Sequence, residues 1–189
     1  MELLKQRILK DGIISNGNIL RVDSFLNHQI DVELLNEMGK ELKRRFSNEK
    51  ITKILTIEVS GIAIASIAAQ YFNVPVVFAK KHQGINSDPD SYESTVFSYT
   101  KKQQYSIKVS KKYINEDDNI LIIDDFLATG SAMSGLINIL EQANAKIAGV
   151  GIVIEKNFQE GRELIQSKNI HLESLAVIKS IENGVLEFV

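Results

Sequence analysis

Apolar positions along this chain change their period part-way. Near the N-terminus, Leu3, Leu4 and Ile8 mark one stripe of a short helix, and Gly12 is a suitable stop for it. After Asp31, the residues Leu34, Met38, Leu42 and Phe46 recur every fourth position. That spacing predicts a second helix capped by Asp31, with Lys43, Arg44 and Arg45 at the C-terminal end, where the helix dipole favours cations. Short, mostly apolar runs then take over, at residues 54–57, 76–78, 120–123 and 148–154, broken only by Thr56 in the first. A small-residue helix ending at Phe72 is predicted after the first run, and a helix from Ser131 to Gln142 after the third. Strands buried on both faces read as such runs, and helices between them are the signature of βαβ units. The predicted class is therefore α/β, with a central, mainly parallel sheet flanked by helices. Ligands of open sheets bind beyond the carboxyl ends of the strands. The positions that matter are thus those just after Ile57, Val77, Ile123 and Ile154.

One segment breaks this rhythm. Residues 95–99 and 105–109 alternate and are rich in β-branched and aromatic side chains, with Lys101-Lys102-Gln103-Gln104 between them. They predict an antiparallel hairpin projecting from the sheet, preceded by polar turn material at 83–91. A long excursion of this kind is usually a lid or another functional element.

Composition narrows the function. A chain of 189 residues suits one domain. It divides into N-terminal helices and a hood over 1–50, a core over 51–160 containing a flexible hairpin at 84–110, and a C-terminal part at 161–189. Basic residues (22) do not exceed acidic ones (24) and are spread along the chain, which argues against DNA or RNA as partner. The absence of cysteine removes disulfides and thiolate metal sites. No apolar run approaches the roughly 20 residues of a membrane span, and the charged, amphipathic start is unlike a signal peptide. A cytoplasmic location is expected.

The chemistry concentrates in residues 120–132, Ile-Leu-Ile-Ile-Asp-Asp-Phe-Leu-Ala-Thr-Gly-Ser-Ala. Four apolar residues place Asp124 and Asp125 at the carboxyl end of a central strand, and a tight turn then opens a helix. Small residues let backbone N–H groups approach a phosphate, the Thr129 and Ser131 hydroxyls add donors, and the helix N-terminus adds its dipole. Adjacent carboxylates accept hydrogen bonds from a vicinal diol. Together these describe a cradle for ribose 5-phosphate, although an acidic pair there also has a plainer use in capping the helix. The stretch is neither a Walker A loop nor the dinucleotide fingerprint.

These residues resemble the phosphoribosyl pyrophosphate (PRPP) signature of the type I phosphoribosyltransferases, and the chain as a whole resembles the bacterial xanthine branch of that family. The resemblance implies the type I fold, with its hairpin and a small hood built from the N- and C-terminal parts. It implies purine salvage, in which ribose 5-phosphate passes from PRPP to xanthine. By residue, Asp124 and Asp125 would hold the ribose hydroxyls, directly or through a magnesium shell, and Ala128, Thr129, Gly130, Ser131 and Ala132 would wrap the 5′-phosphate. Ser60 and Gly61, in Glu58-Val59-Ser60-Gly61, match the pyrophosphate loop, with an ordinary N-cap and first turn as the alternative. Lys80-Lys81 resemble the basic pair that reaches pyrophosphate, in many members across a dimer interface, with Lys81 as the expected contact and solvated charges after a strand as the alternative. Mg²⁺ is expected to arrive with PRPP rather than on direct protein ligands. A homodimer is implied.

For the base, the resemblance points to Leu20 and Asn27 in the hood and to Lys156 and Phe158 after the last core strand. Lys156 carries only donors, so it serves a 6-oxo group and cannot accept from the 6-amino group of adenine. Asn27 has both a donor and an acceptor and does not by itself separate xanthine from guanine. Phe158 is a stacking candidate with helix packing as its alternative, and His28 reads as a surface residue. Three other functions remain to be tested: salvage of adenine or of hypoxanthine and guanine, PRPP sensing by a non-catalytic regulator, and generic nucleotide binding.

Overall fold

A computed structural model describes residues 1–15, 17, 19–82, 90–98 and 103–189. Helix α1 (Glu2–Asp11) buries Leu4 and Ile8, while Leu3 is half exposed, so the inward stripe is narrower than the sequence implies. Gly12 ends the helix with φ of −74°. It is small for steric reasons, because a Cβ there would stand 2.4 Å from the Ile8 carbonyl oxygen. Strands β1 (Ile13–Ser15) and β2 (Ile19–Arg21) form a small hairpin, followed by a π-helical turn at Asp23–Asn27. Helix α2 (Val32–Arg45) starts as predicted, with the Leu34 N–H donating to Asp31 Oδ1 at 3.1 Å.

The core follows: β3 (Lys53–Ile57), α3 (Ser60–Phe72), β4 (Val76–His82), β5 (Ser91–Ser98), β6 (Gln103–Ser110), β7 (Asn119–Leu127), α4 (Ser131–Gln142) and β8 (Lys146–Lys156). The chain ends with α5 (Gly161–Ser167), β9 (Leu172–Glu182) and β10 (Val185–Phe188). One eight-stranded sheet runs in the order β10-β9-β8-β7-β3-β4-β6-β5. Its middle, from β9 to β4, is parallel, and both ends are antiparallel. The chain proceeds outward from β3 to β4 and then returns to lay β7 on the other side of β3. That reversal opens a crevice beyond the carboxyl ends of β3 and β7.

Both faces of the sheet are covered, which accounts for the mostly apolar runs. One core joins α1, α2 and α3 to Ile54, Leu121, Ile123 and Val153; the other joins α4 and the hairpin to Leu55, Ile120, Ile122 and Ile152. Gly149 and Gly151 occupy the α2-facing side of β8. A Cβ on either would meet Phe46 at 2.5 Å or Leu42 at 2.9 Å, so the glycines admit the helix. The hairpin is a continuation of the sheet rather than a detached arm. Strand β6 pairs with β4, and Val96 and Ile107 pack onto α4 at Gly135, where a Cβ would stand 2.5 Å from Val96. Of the expected lid, residues 83–89 and 99–102 lie outside the described residues.

Candidate active site

Strand β7 continues through the two acids to Leu127 instead of ending before them. Pleating turns successive side chains to opposite sides. Asp124 is consequently buried, at 4% exposure, while Asp125 is partly open. The Asp125 N–H donates to Asp124 Oδ1 at 3.0 Å, and the Phe126 N–H to Asp125 Oδ1 at 2.9 Å. Burial, reinforced by the charge of Asp125, pushes the Asp124 carboxyl well above the carboxylate range, with Lys81 opposing weakly.

The chain leaves β7 through Ala128 and Thr129 and enters α4 at Gly130, whose φ of +83° suits glycine alone. The Ser134 N–H donates to the Gly130 carbonyl at 2.8 Å, which leaves the preceding N–H groups of the first turn available for an anion. Ser131 Oγ accepts from the Phe97 N–H at 3.1 Å, so the hairpin is tied to this loop and the Ser131 hydroxyl proton remains free to donate.

The second loop, from Glu58 to Gly61, stands beside it. Its Glu58–Val59 peptide is cis, and Glu58 Oε1 accepts from the Lys81 N–H at 2.5 Å. Gly61 opens the first turn of α3 directly under the acids: a Cβ there would lie 2.0 Å from Thr56 Oγ1 and 3.1 Å from Asp124 Oδ1. Thr56 Oγ1 itself is buried with no hydrogen-bond partner among the described residues. The two lysines separate by strand alternation. Lys80 lies over Phe78, whereas Lys81 lies 5.5 Å from the Tyr105 ring and acts on Asp124.

The hood and the end of β8 complete the enclosure. Asn27, in the π-helical turn, donates to Asp125 Oδ2 at 2.9 Å and to Ser60 Oγ at 3.4 Å. Three of the predicted positions thus meet at one point. Leu20 packs inward against α1 and Gly12. Lys156 is half-buried, which lowers its pKa, and its ammonium lies 5.9 Å above the Phe126 ring. Phe158 is 45% exposed in the turn after β8. Phe126 is therefore the aromatic that sits between Asp125 and Lys156. Its place inside the acidic motif puts it near the site, but its position beneath Lys156 depends on the pairing of β7 with β8. The sequence alone singles out neither Phe126 nor Tyr105. Tyr105 approaches from β6, and burial followed by the charge of Asp124 raises its pKa.

Among the described residues no group of three or more acids, histidines or cysteines converges on a metal site. Asp125, the partly open acid of the pair, suits a hard cation that keeps most of its water or brings phosphate oxygens with it.

Comparison with known proteins gives a consistent picture. The phosphoribosyl transferase domain model matches residues 21–183. The chain is 65% identical over 188 residues to the xanthine phosphoribosyltransferase of Clostridium novyi (strain NT), covering 100% of this chain and 99% of that one. It is 62% identical over 189 residues to the xanthine phosphoribosyltransferase of Clostridium tetani (strain Massachusetts / E88), with 100% of both chains covered. Among solved structures, the APRTase from Giardia lamblia complexed with 9-deazaadenine superposes with a TM-score of 0.77 at 23% identity, over 92% of this chain and 96% of that one. The adenine phosphoribosyltransferase from Saccharomyces cerevisiae gives a TM-score of 0.74 at 21% identity, over 93% and 99%. At these identities the structural neighbours speak for the fold alone.

Proposed function

The chain belongs to the phosphoribosyltransferase family, and we propose that it transfers ribose 5-phosphate from PRPP to xanthine, releasing xanthosine 5′-monophosphate (XMP) and pyrophosphate. The observation that carries this reading is the meeting of Asn27, Ser60 and Asp125 just before the turn that opens α4, in a chain more than 60% identical along its length to xanthine phosphoribosyltransferases. The 5′-phosphate sits against residues 128–132, the ribose diol on Asp124 and Asp125, and the pyrophosphate between the 58–61 loop and Lys81. Mg²⁺ held by pyrophosphate oxygens and water would neutralise charge on the leaving group.

Little covalent work falls to the protein. As the C1–pyrophosphate bond lengthens, positive character grows on the sugar, and the purine nitrogen attacks from the opposite face. Asp125 stabilises that charge from the ribose side, while backbone amides and Lys81 hold the departing pyrophosphate. Removal of the base proton falls to one member of the Asp124–Asp125 pair. Closure over the site excludes water that would otherwise hydrolyse the activated sugar.

Lys156 addresses the 6-oxo group, and a buried donor facing the 6-amino group of adenine would lose about 1–3 kcal/mol. Leu20 lies behind the hood surface that closes on the base, Asn27 faces the 2-position, and Phe126 or Phe158 supplies the stacking face. Cytoplasmic homodimers belong to the same reading; no helix among the described residues is long and apolar enough to cross a membrane. The test is turnover with PRPP and Mg²⁺, offering xanthine, guanine, hypoxanthine and adenine separately. Preference for xanthine is expected. Faster use of adenine would overturn the base pocket, and absence of product despite PRPP binding would favour a sensor.

A further inference from the structure

Glu155 ends the buried part of β8, immediately before Lys156, and its side chain is only 1% exposed. Both oxygens of its carboxylate are hydrogen-bonded. Arg162 Nε donates to Oε1 and Nη2 to Oε2, both at 2.6 Å, and the Ser174 hydroxyl from β9 also donates to Oε2. A planar fork of this kind fixes direction as well as distance. Arg162 lies in the first turn of α5, so the pair draws the start of α5 onto the strand and closes residues 157–160 into a loop.

The same corner is stitched to the phosphate loop. The Gly161 N–H donates to the Ala128 carbonyl at 2.9 Å. A Cβ on Gly161 would lie 2.5 Å from that carbonyl oxygen, and one on Gly130 would lie 3.1 Å from the Gly161 Cα. Two glycines thus bring the loop that carries Thr129 into backbone contact with the corner beside Lys156. Neither Glu155 nor Arg162 has a part in the chemistry described above.

We propose that Glu155 and Arg162 are positioning residues that hold the base-binding and phosphate-binding loops in mutual register. This rests on reading 128–132 as the phosphate loop and Lys156 as a base contact. A ligand that touches one loop is indifferent to the register. XMP, which must reach both, is not, and neither is the reacting pair of base and sugar.

The experiment compares Glu155→Gln, which removes one acceptor from the fork, with Arg162→Lys, which keeps the charge and loses the fork. Competitive inhibition by XMP and by ribose 5-phosphate is measured alongside kcat and thermal melting, with Thr129→Ala as a control for the phosphate loop. Each positioning variant is expected to weaken XMP inhibition and lower kcat by about 10-fold, leaving ribose 5-phosphate within about twofold of wild type. Equal weakening of both inhibitors, or a lower melting temperature with unchanged XMP inhibition, overturns the proposal. Arg162→Lys retains a cation beside the buried carboxylate and carries the test if Glu155→Gln does not fold. If Thr129→Ala leaves ribose 5-phosphate inhibition intact, the loop assignment fails and takes the inference with it. If that control behaves and the other variants resemble wild type, the inference alone fails.

Discussion

Asn27 Nδ2 lies 2.9 Å from Asp125 Oδ2, so the N-terminal hood is fastened to the carboxylate proposed to take the ribose diol. The bond is donated through Nδ2 and leaves the amide oxygen of Asn27 available to the 2-position of a purine. Asn27→Ala should therefore raise the KM for xanthine about 5- to 10-fold, the effect of one lost hydrogen bond of about 1 kcal/mol, without raising the KM for PRPP. Steady-state kinetics varying both substrates check this; a raised PRPP KM would mean that Asn27 holds the sugar site together.

Asp124 provides a test of electrostatics. Its folded pKa lies above its unfolded one, so its contribution to stability is present at low pH and fades as pH rises through the raised value. Asp124→Asn should melt higher than wild type above neutral pH, by about 2–4 °C for each kcal/mol relieved, and should lose most of its turnover. Calorimetry across a pH series on the ligand-free protein measures the first effect.

Glu41 behaves in the opposite sense. Hydrogen bonds from Arg44 and then Arg45 hold its carboxyl down to about 2, below its usual value of 4.5. The stability it contributes is complete above about pH 4.5 and is lost as pH falls towards 2. Glu41→Gln should flatten the acid arm of the stability profile in that window, lowering stability at pH 7 and leaving it nearly unchanged near pH 2.

Gly61 has no room for a methyl group, because Thr56 Oγ1 stands 2.0 Å from where it would go. Gly61→Ala is expected to cost about 1–3 kcal/mol and to raise the PRPP KM by moving the start of α3. Removing the Thr56 hydroxyl with Thr56→Ala should recover part of both losses in the double variant. Thermal melts and PRPP titrations of the three variants decide it.

The two lysines after β4 should differ. Lys81→Ala is expected to raise the PRPP KM about 10-fold or more, the scale of a charge-assisted hydrogen bond. Lys80→Ala should change it little, because strand alternation turns Lys80 to the other face beside Phe78. Parallel KM measurements separate them.

Much of this molecule was legible along the chain. The helix from Ser131 to Gln142, the Asp31 cap, the core strands and the family signature all rest on local signals: hydrophobic period, capping chemistry, and small residues where a turn meets a phosphate. The C-terminal strands were passed over, because their apolar residues form an edge whose pairing partners lie elsewhere in sequence. Nor does local pattern indicate that Phe126 rather than Phe158 lies beneath Lys156, that Tyr105 approaches Asp124 from the hairpin, or that Glu155 is clamped by Arg162. The sequence by itself determined which chemical groups stand at the ends of the strands, since strand polarity and turn chemistry are local. Only the tertiary structure decided which of them meet, since burial, alternation across the sheet and close approach at Gly61, Gly130 and Gly161 depend on how separate elements pack.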